Sequence, residues 1–329
     1  MRLRSVLAVA TLTIGFIASP SASATTNICL AYDTGGLGDR SYNDASLAGV
    51  KMAENQYSFT LESVVTDGTA ADREIRLRTL MSKSCTSIIA VGSGYAPAIS
   101  KLAAEFPKVK FAIINDASVR ELNVTSIIFA QDQMAFLAGY SAAISSKSGK
   151  VAILTSGINA SSYEAGFELG ANASKINVRT YSKNIKSDVR KAIRTLIKEG
   201  VDVIYDASSG SADASFEVIV KANNSKKSSK NSSIVNLIIS EPDQFLSTTT
   251  SNSKFLLASL VKRVDIAVSD IIAATILGNE LLDPINISKS IYGHRYTIAD
   301  KGIEIVISAR SLASYTAEIN RAASRQYAD

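Results

Sequence analysis

The sequence predicts an α/β chain of two doubly wound, parallel-sheet lobes joined by a multi-strand hinge. Three observations predict it. Short β-rich apolar runs alternate with stretches of helical periodicity, the alternation runs through the chain twice, and the C-terminal stretch adds too few elements to form a domain of its own. Alternating β and α segments imply right-handed β-α-β units and a parallel sheet, and two series imply two lobes. With 329 residues, 46% of them apolar, the chain can bury a sizeable core in each lobe.

The first 24 residues stand apart. Arg2 and Arg4 precede an apolar run, Val6 to Ile17, broken only by Thr11, Thr13 and Gly15, and the small residues Ser19 to Ala24 follow. This is the layout of an export signal, with Ala22-x-Ala24 ahead of a cut before Thr25. The run is short for a spanning helix. Residues 1–24 are therefore expected to be removed, leaving a soluble protein outside the cytoplasm, at a cell surface or in a periplasm. Cys29 follows Thr26-Asn27-Ile28, a poor setting for a lipid-bearing cysteine, and reads as part of a strand.

Strands are predicted over Asn27–Asp33, Thr60–Thr66, Ser87–Val91, Lys110–Asn115 and Ser126–Ala130. Helices are predicted between them over Ser41–Gln56, Ala71–Lys83, Tyr95–Phe106 and Gln133–Ser146. The second series has strands over Lys150–Thr155, Asn177–Tyr181, Val201–Asp206 and Val235–Ser240, with helices over Ser161–Lys175, Lys186–Lys198 and Ala212–Asn223. Next come a strand over Phe255–Val261 and a helix over Arg263–Leu277, then strands over Ile291–Thr297 and Gly302–Ser308 and a closing helix over Ala309–Arg325. The lone β-α unit is best placed as a return to the first lobe. The expected division is 25–130 with 261–289 as lobe one and 131–260 with 290–329 as lobe two. Ligands of parallel sheets sit beyond the carboxyl ends of the strands, so two such edges facing each other would form one cleft.

Cys29 and Cys85 are the only cysteines, one in the first strand and one leading into the third. In strand order 2-1-3 those strands are neighbours, so a disulfide and a pair of buried thiols both remain open. The net charge of +5 includes a lysine-rich run, Lys221 to Lys230, without the interleaved aromatics of a nucleic-acid surface. It reads as a solvated loop, and no nucleic-acid partner is expected.

His294 is the only histidine and reads as an edge-strand surface residue. One histidine leaves no histidine-rich metal site and little scope for a Ser-His-Asp triad. Neither a G-x-S-x-G elbow nor a Gly-Lys-Ser/Thr phosphate loop is present. No catalytic set, cofactor or metal is expected, and the chain reads as a binding protein, not an enzyme.

The segment that carries chemistry is the turn after the first strand, Asp33-Thr34-Gly35-Gly36-Leu37-Gly38-Asp39-Arg40-Ser41-Tyr42-Asn43-Asp44. Its glycines permit a tight bend and close approach of backbone to a ligand. Asp33 can accept from ligand N–H or O–H groups, Tyr42 can stack on a flat ring, and Asn43 can both donate and accept. Ser41 reads as a helix N-cap, with Asp44 three residues on.

This turn resembles that of the basic membrane protein family, also called PnrA-like or TmpC-like, of ABC-transporter nucleoside-binding proteins. The likeness continues through Phe111-Ala112-Ile113-Ile114-Asn115, Phe136-Leu137-Ala138-Gly139, Gly200-Val201-Asp202-Val203-Ile204, Glu241-Pro242-Asp243-Gln244 and Val261-Lys262-Arg263-Val264-Asp265. The resemblance implies a periplasmic-binding-protein type I bilobe that closes on a nucleoside, most simply a purine nucleoside, and serves a membrane permease as a monomer. It also implies base contacts from Asp33, Tyr42, Asn43 and Asn115, and ribose contacts from Ser209, Gly210, Glu241 and Lys262. The chain departs from the pattern in having Asn115 for the usual aspartate, with Asp116 beside it as a further ligand candidate. It departs again at Ile185, which stands near a usual aromatic. A same-fold receptor for a sugar and a nucleoside-processing enzyme are the alternative readings. Asp33→Ala and Tyr42→Ala are each expected to weaken binding with little change in fold.

Overall fold

The computed structural model describes residues 26–157, 160–186, 188–208, 212–226, 233–240 and 253–328. The expected signal segment 1–24 lies outside them. The chain runs β1 (Asn27–Tyr32), α1 (Tyr42–Glu54), β2 (Thr60–Val65), α2 (Ala70–Met81), β3 (Ser87–Val91), α3 (Ala96–Glu105), β4 (Lys110–Ile114) and β5 (Val124–Phe129). It continues through α4 (Gln131–Ser145), β6 (Lys150–Thr155), α5 (Ala160–Ala173), β7 (Arg179–Asn184), α6 (Val189–Lys198), β8 (Val203–Asp206), α7 (Asp213–Lys226), β9 (Asn236–Ser240) and β10 (Leu256–Lys262). It closes with α8 (Val264–Leu277), β11 (Asp283–Asn286), β12 (Ile291–Tyr296), β13 (Ile303–Ile307), α9 (Arg310–Ala313) and α10 (Thr316–Gln326).

Two sheets result, in the orders β11-β12-β5-β4-β3-β1-β2 and β13-β10-β9-β8-β6-β7. Within each, the pairings are parallel except at the edge strands β11 and β13. The strand β3 is buried along its whole length, as expected of a central strand covered on both faces. One face of the first sheet packs on α1 and α8 through Val50, Ala53, Val264 and Val268. The other face packs on α2 and α3 through Leu77, Leu80, Ile99 and Leu102. The second sheet is likewise covered by α4 and α5 on one face and by α6 and α7 on the other.

Among the described residues three segments cross between the lobes: Ala130 between β5 and α4, Arg263 between β10 and α8, and the turn from β12 to β13. Backbone bonds tie them together, with Ala130 N–H donating to the Tyr296 carbonyl at 2.8 Å and Arg263 N–H donating to that of Gly302 at 2.9 Å.

The strand pairings correct several expectations. Residues 291–296 belong to the first sheet, not to lobe two, because β12 pairs parallel with β5 and Tyr296 stacks on Phe129. Val261 and Lys262, assigned to lobe one, end β10 in the second sheet. The sequence reading missed β11, whose four residues include a proline and carry no alternation. Since β11 covers β12, His294 is not on an edge strand. Its Nδ1 bonds Asp283 of β11, and its ring meets Tyr296 edge-on. The lysine-rich run begins inside α7, which extends to Lys226; the remainder, 227–230, lies outside the described residues. Cys29 and Cys85 form a disulfide with Cα atoms 5.8 Å apart, which settles the open alternative.

Candidate functional site

The carboxyl ends of β1, β3 and β4 open on a cavity of about 310 Å³ lined by Asp33, Thr34, Asp39, Ser41, Tyr42, Asn43, Gly92, Ser93 and Asn115, among others. The strand order reverses between β1 and β3, so helices leave these neighbouring strands in opposite directions and a crevice opens between them.

The bend after β1 is built from its own polar groups. Gly35, Gly36 and Gly38 have φ of 91°, 60° and 91°, a region that side chains disfavour. Asn43, only 1% exposed, accepts from the Asp33 N–H and donates toward the carbonyls of Asp33, Thr34 and Gly36. Its carboxamide therefore holds the bend, where a ligand contact was expected. The amide start of α1 is satisfied by Asp39, which accepts from the N–H groups of Ser41, Asn43 and Asp44. Ser41 occupies the N-cap position but makes no capping bond through its side chain. Asp44 reaches back to the N–H groups of Gly38 and Arg40. Two carboxylates thus serve the positive end of the helix.

Asp33 faces the cavity with a fixed carboxylate. Its Oδ1 accepts from the Thr34 N–H at 2.9 Å and from Arg73 Nη2 at 2.7 Å. Its Oδ2 lies under Gly92, whose φ is 98°; a Cβ there would fall 2.9 Å from that oxygen. Arg73, on α2, and Gly92 were both missed by the sequence reading. Gly92-Ser93-Gly94 after β3 could have drawn attention by the logic used for the first bend. Nothing local to Arg73 marks it.

Lys262, the last residue of β10, reaches from the second sheet into the first lobe. Its Nζ donates to Asn115 Oδ1 at 3.0 Å and lies 3.3 Å from the Tyr42 hydroxyl and 5.9 Å from the centre of the Phe129 ring. Asn115 follows β4 with φ of 64°, a left-handed position that asparagine tolerates better than most residues. The carboxyl edges of the two sheets therefore meet at Lys262.

Burial pushes the Lys262 ammonium down to about 7 from its ordinary 10.5. Between about pH 7 and 10.5 the unfolded chain then binds more protons at this position than the folded one, so this group's contribution to stability rises with pH across that window. Its cost is fully present below about pH 7. Urea melts of wild type and Lys262→Met should show wild type gaining on the variant from pH 7 to pH 10, by at most about 1.4 kcal/mol per pH unit. A pH-independent difference would contradict this.

Asp33, Tyr42, Asn43, Asn115 and Lys262 thus come together, Asn43 as part of the frame. Asp116 does not join them: its Oδ1 accepts from the Ser118 N–H and hydroxyl, closing its own turn. Ser209, Gly210 and Glu241 lie outside the described residues. From the second lobe, Asp206 ends β8 and holds a turn through Ser208 and Ser215. Ile185 packs against the core beside β7. Among the described residues no group of three or more His, Cys, Asp or Glu could hold a metal ion. No described helix is long and apolar enough to cross a membrane.

Comparison with known proteins adds to this geometry. The Bmp family model, described as ABC transporter substrate-binding protein PnrA-like, matches residues 26–327. A CD4+ T-cell-stimulating antigen of Listeria innocua serovar 6a is 27% identical over 267 residues, 77% of this chain and 74% of that protein. The ABC transporter nucleoside-binding protein BmpA of Lactococcus lactis subsp. cremoris is 25% identical over 255 residues, 73% of this chain and 72% of that one. Among solved structures, an ABC transporter solute-binding protein from Aeropyrum pernix K1 superposes with a TM-score of 0.62 at 20% identity, covering 92% of this chain and 85% of that one. A transcriptional activator of the comK gene from Bacillus halodurans gives 0.67 at 18% identity, over 91% and 96%. These superpositions show the bilobal fold.

Proposed function

This chain belongs to the PnrA-like family of ABC transporter substrate-binding proteins, and from that premise we propose that it captures a purine nucleoside between its lobes and presents it to a membrane permease. One observation carries the reading: a carboxylate, a phenol ring and a carboxamide from three separate segments line one cavity at the carboxyl ends of the strands, and Lys262 bonds two of them from the second sheet. The Tyr42 ring offers a face for the base, Asp33 Oδ2 an acceptor for a ring N–H, and Asn115 a group that can donate and accept. Glu241, Ser209 and Gly210 would supply ribose contacts, as the family resemblance implies. The name of the Lactococcus relative supports a nucleoside as the ligand class.

Closure follows from differential contact. A ligand that touches both lobes favours the closed arrangement by the contacts made only there. The three crossing segments are the hinge about which the lobes would move. Family membership carries an extracytoplasmic site of action, and residues 1–24 are read as the export signal. Cys29 lies inside β1 and is bonded to Cys85, which supports the reading that it is not a lipid carrier.

Titration calorimetry with inosine, guanosine and adenosine, set against arabinose and glucose, tests the ligand class. Heat with a nucleoside and none with the sugars is expected. Binding of sugars alone would overturn the reading, and release of free base on prolonged incubation would overturn its non-enzymatic part. Tyr42→Ala should weaken nucleoside binding about 10- to 100-fold, the scale of a lost base-stacking partner. Tyr42→Phe keeps the ring and should retain most of the affinity.

A further inference from the structure

We propose that Arg73 is a positioning residue that sets base specificity by holding the Asp33 carboxylate with one oxygen turned to the ligand. This rests on the reading of the cavity as a nucleoside site. The observations come from four segments. Arg73, on α2, places Nη2 2.7 Å from Asp33 Oδ1 and donates through Nη1 to the Gly68 carbonyl, so the guanidinium is held at two points. It also lies 5.6 Å from the centre of the Tyr95 ring, and the Tyr95 hydroxyl donates to the Tyr32 carbonyl, one residue before Asp33. The bend after β3 is stripped of side chains where the pair passes. A Cβ on Gly92 would fall 2.9 Å from Asp33 Oδ2, and one on Gly94 would fall 2.6 Å from Arg73 Cζ. The pair is therefore built in between α2, β1 and the bend, with Arg73 only 14% exposed at its side chain and Asp33 32%.

The chemical consequence is a division of labour between the two oxygens. Oδ1 is occupied by Arg73 and the Thr34 N–H. Oδ2 has no hydrogen bond among the described residues and sits beside Gly92, which with Asp33 lines the cavity, so it is the acceptor offered to a ligand. A carboxylate fixed this way accepts but cannot donate. It favours a base edge bearing an N–H and leaves a bare ring nitrogen facing a second acceptor. Without Arg73 the carboxylate keeps only the Thr34 N–H and draws water in its place, and the preference should fall with it.

The test compares two nucleosides: inosine, whose six-membered ring bears an N–H, and purine riboside, whose ring nitrogens there are bare. Wild type should prefer inosine by about 10-fold or more, the scale of a hydrogen bond to a charged group. Arg73→Met should lose about 10-fold or more for inosine and less than about threefold for purine riboside. Arg73→Lys keeps the charge but reaches only one of the two acceptors, and should fall between. In an Asp33→Asn background, Arg73→Met should cost no further discrimination. The proposal is overturned if Arg73→Met keeps the wild-type preference or weakens both nucleosides equally. Should that variant fail to fold, the same criteria apply to Arg73→Lys. Wild type binding neither nucleoside would overturn the nucleoside reading itself, and this role with it. Wild type binding both, with discrimination untouched in the Arg73 variants, would overturn this role alone.

Discussion

Asp33→Ala should abolish measurable nucleoside binding at micromolar ligand and also destabilise the fold. The binding loss follows from removing the carboxylate whose Oδ2 is left for the ligand, worth roughly 100-fold for a hydrogen bond to a charged acceptor. The stability loss follows from Arg73. Removing Asp33 leaves its guanidinium, 14% exposed, without the ion pair that holds it. Breaking a fully buried pair costs about 3–5 kcal/mol, but Asp33 is 32% exposed and water screens part of that, so about 2 kcal/mol is expected. The sequence alone suggested a loss of binding with little change in fold. The ion pair to a residue 40 positions away is what revises it. Asp33→Asn keeps the shape and an amide oxygen that can accept, and should weaken binding without abolishing it, with a smaller loss of stability. Urea melts beside calorimetry separate the two effects, and an alanine variant as stable as wild type would show that the pair contributes nothing to folding.

Replacing both Cys29 and Cys85 by serine should cost about 4 kcal/mol of stability while leaving the affinity of the folded protein within about threefold. The estimate comes from the chain entropy of the loop the bond closes, across a sequence separation of 56. The bond ties the body of β1 to the loop entering β3. The cavity lies at the other end of both strands, with Asp33 four residues beyond Cys29 and so roughly 13 Å further along. Reductant should lower the urea midpoint of wild type toward that of the double variant, and an unchanged midpoint would contradict the prediction. A matching loss of affinity in the folded variant would mean that the strand ends shift when the bond is lost.

Which helices and strands exist was legible in the order of residues because the signals are local. Strand and helix periods, the glycine-rich bend after β1 and the serial likeness to one family all lie within windows of a few residues, and most elements fall within a few residues of their expected places. The failures are of another kind. β12 was assigned to the wrong lobe because a strand's sheet is decided by the partner it finds, here β5, more than 160 residues earlier by register. Asn43 was expected to meet a ligand because its chemistry allows that, but three backbone carbonyls of its own bend claimed the carboxamide.

What the residue order determined by itself was the α/β class, the two series of β-α units and the bend that presents Asp33 and Tyr42. What only the tertiary structure decided was the company those side chains keep: Arg73 under Asp33, Lys262 across from Asn115, bare backbone at Gly92, and a sulfur bridge between neighbouring strands. The physical reason is range. A local pattern is set by the backbone geometry of adjacent residues, whereas these contacts join segments tens to hundreds of residues apart and exist only once strand order has placed their carriers side by side.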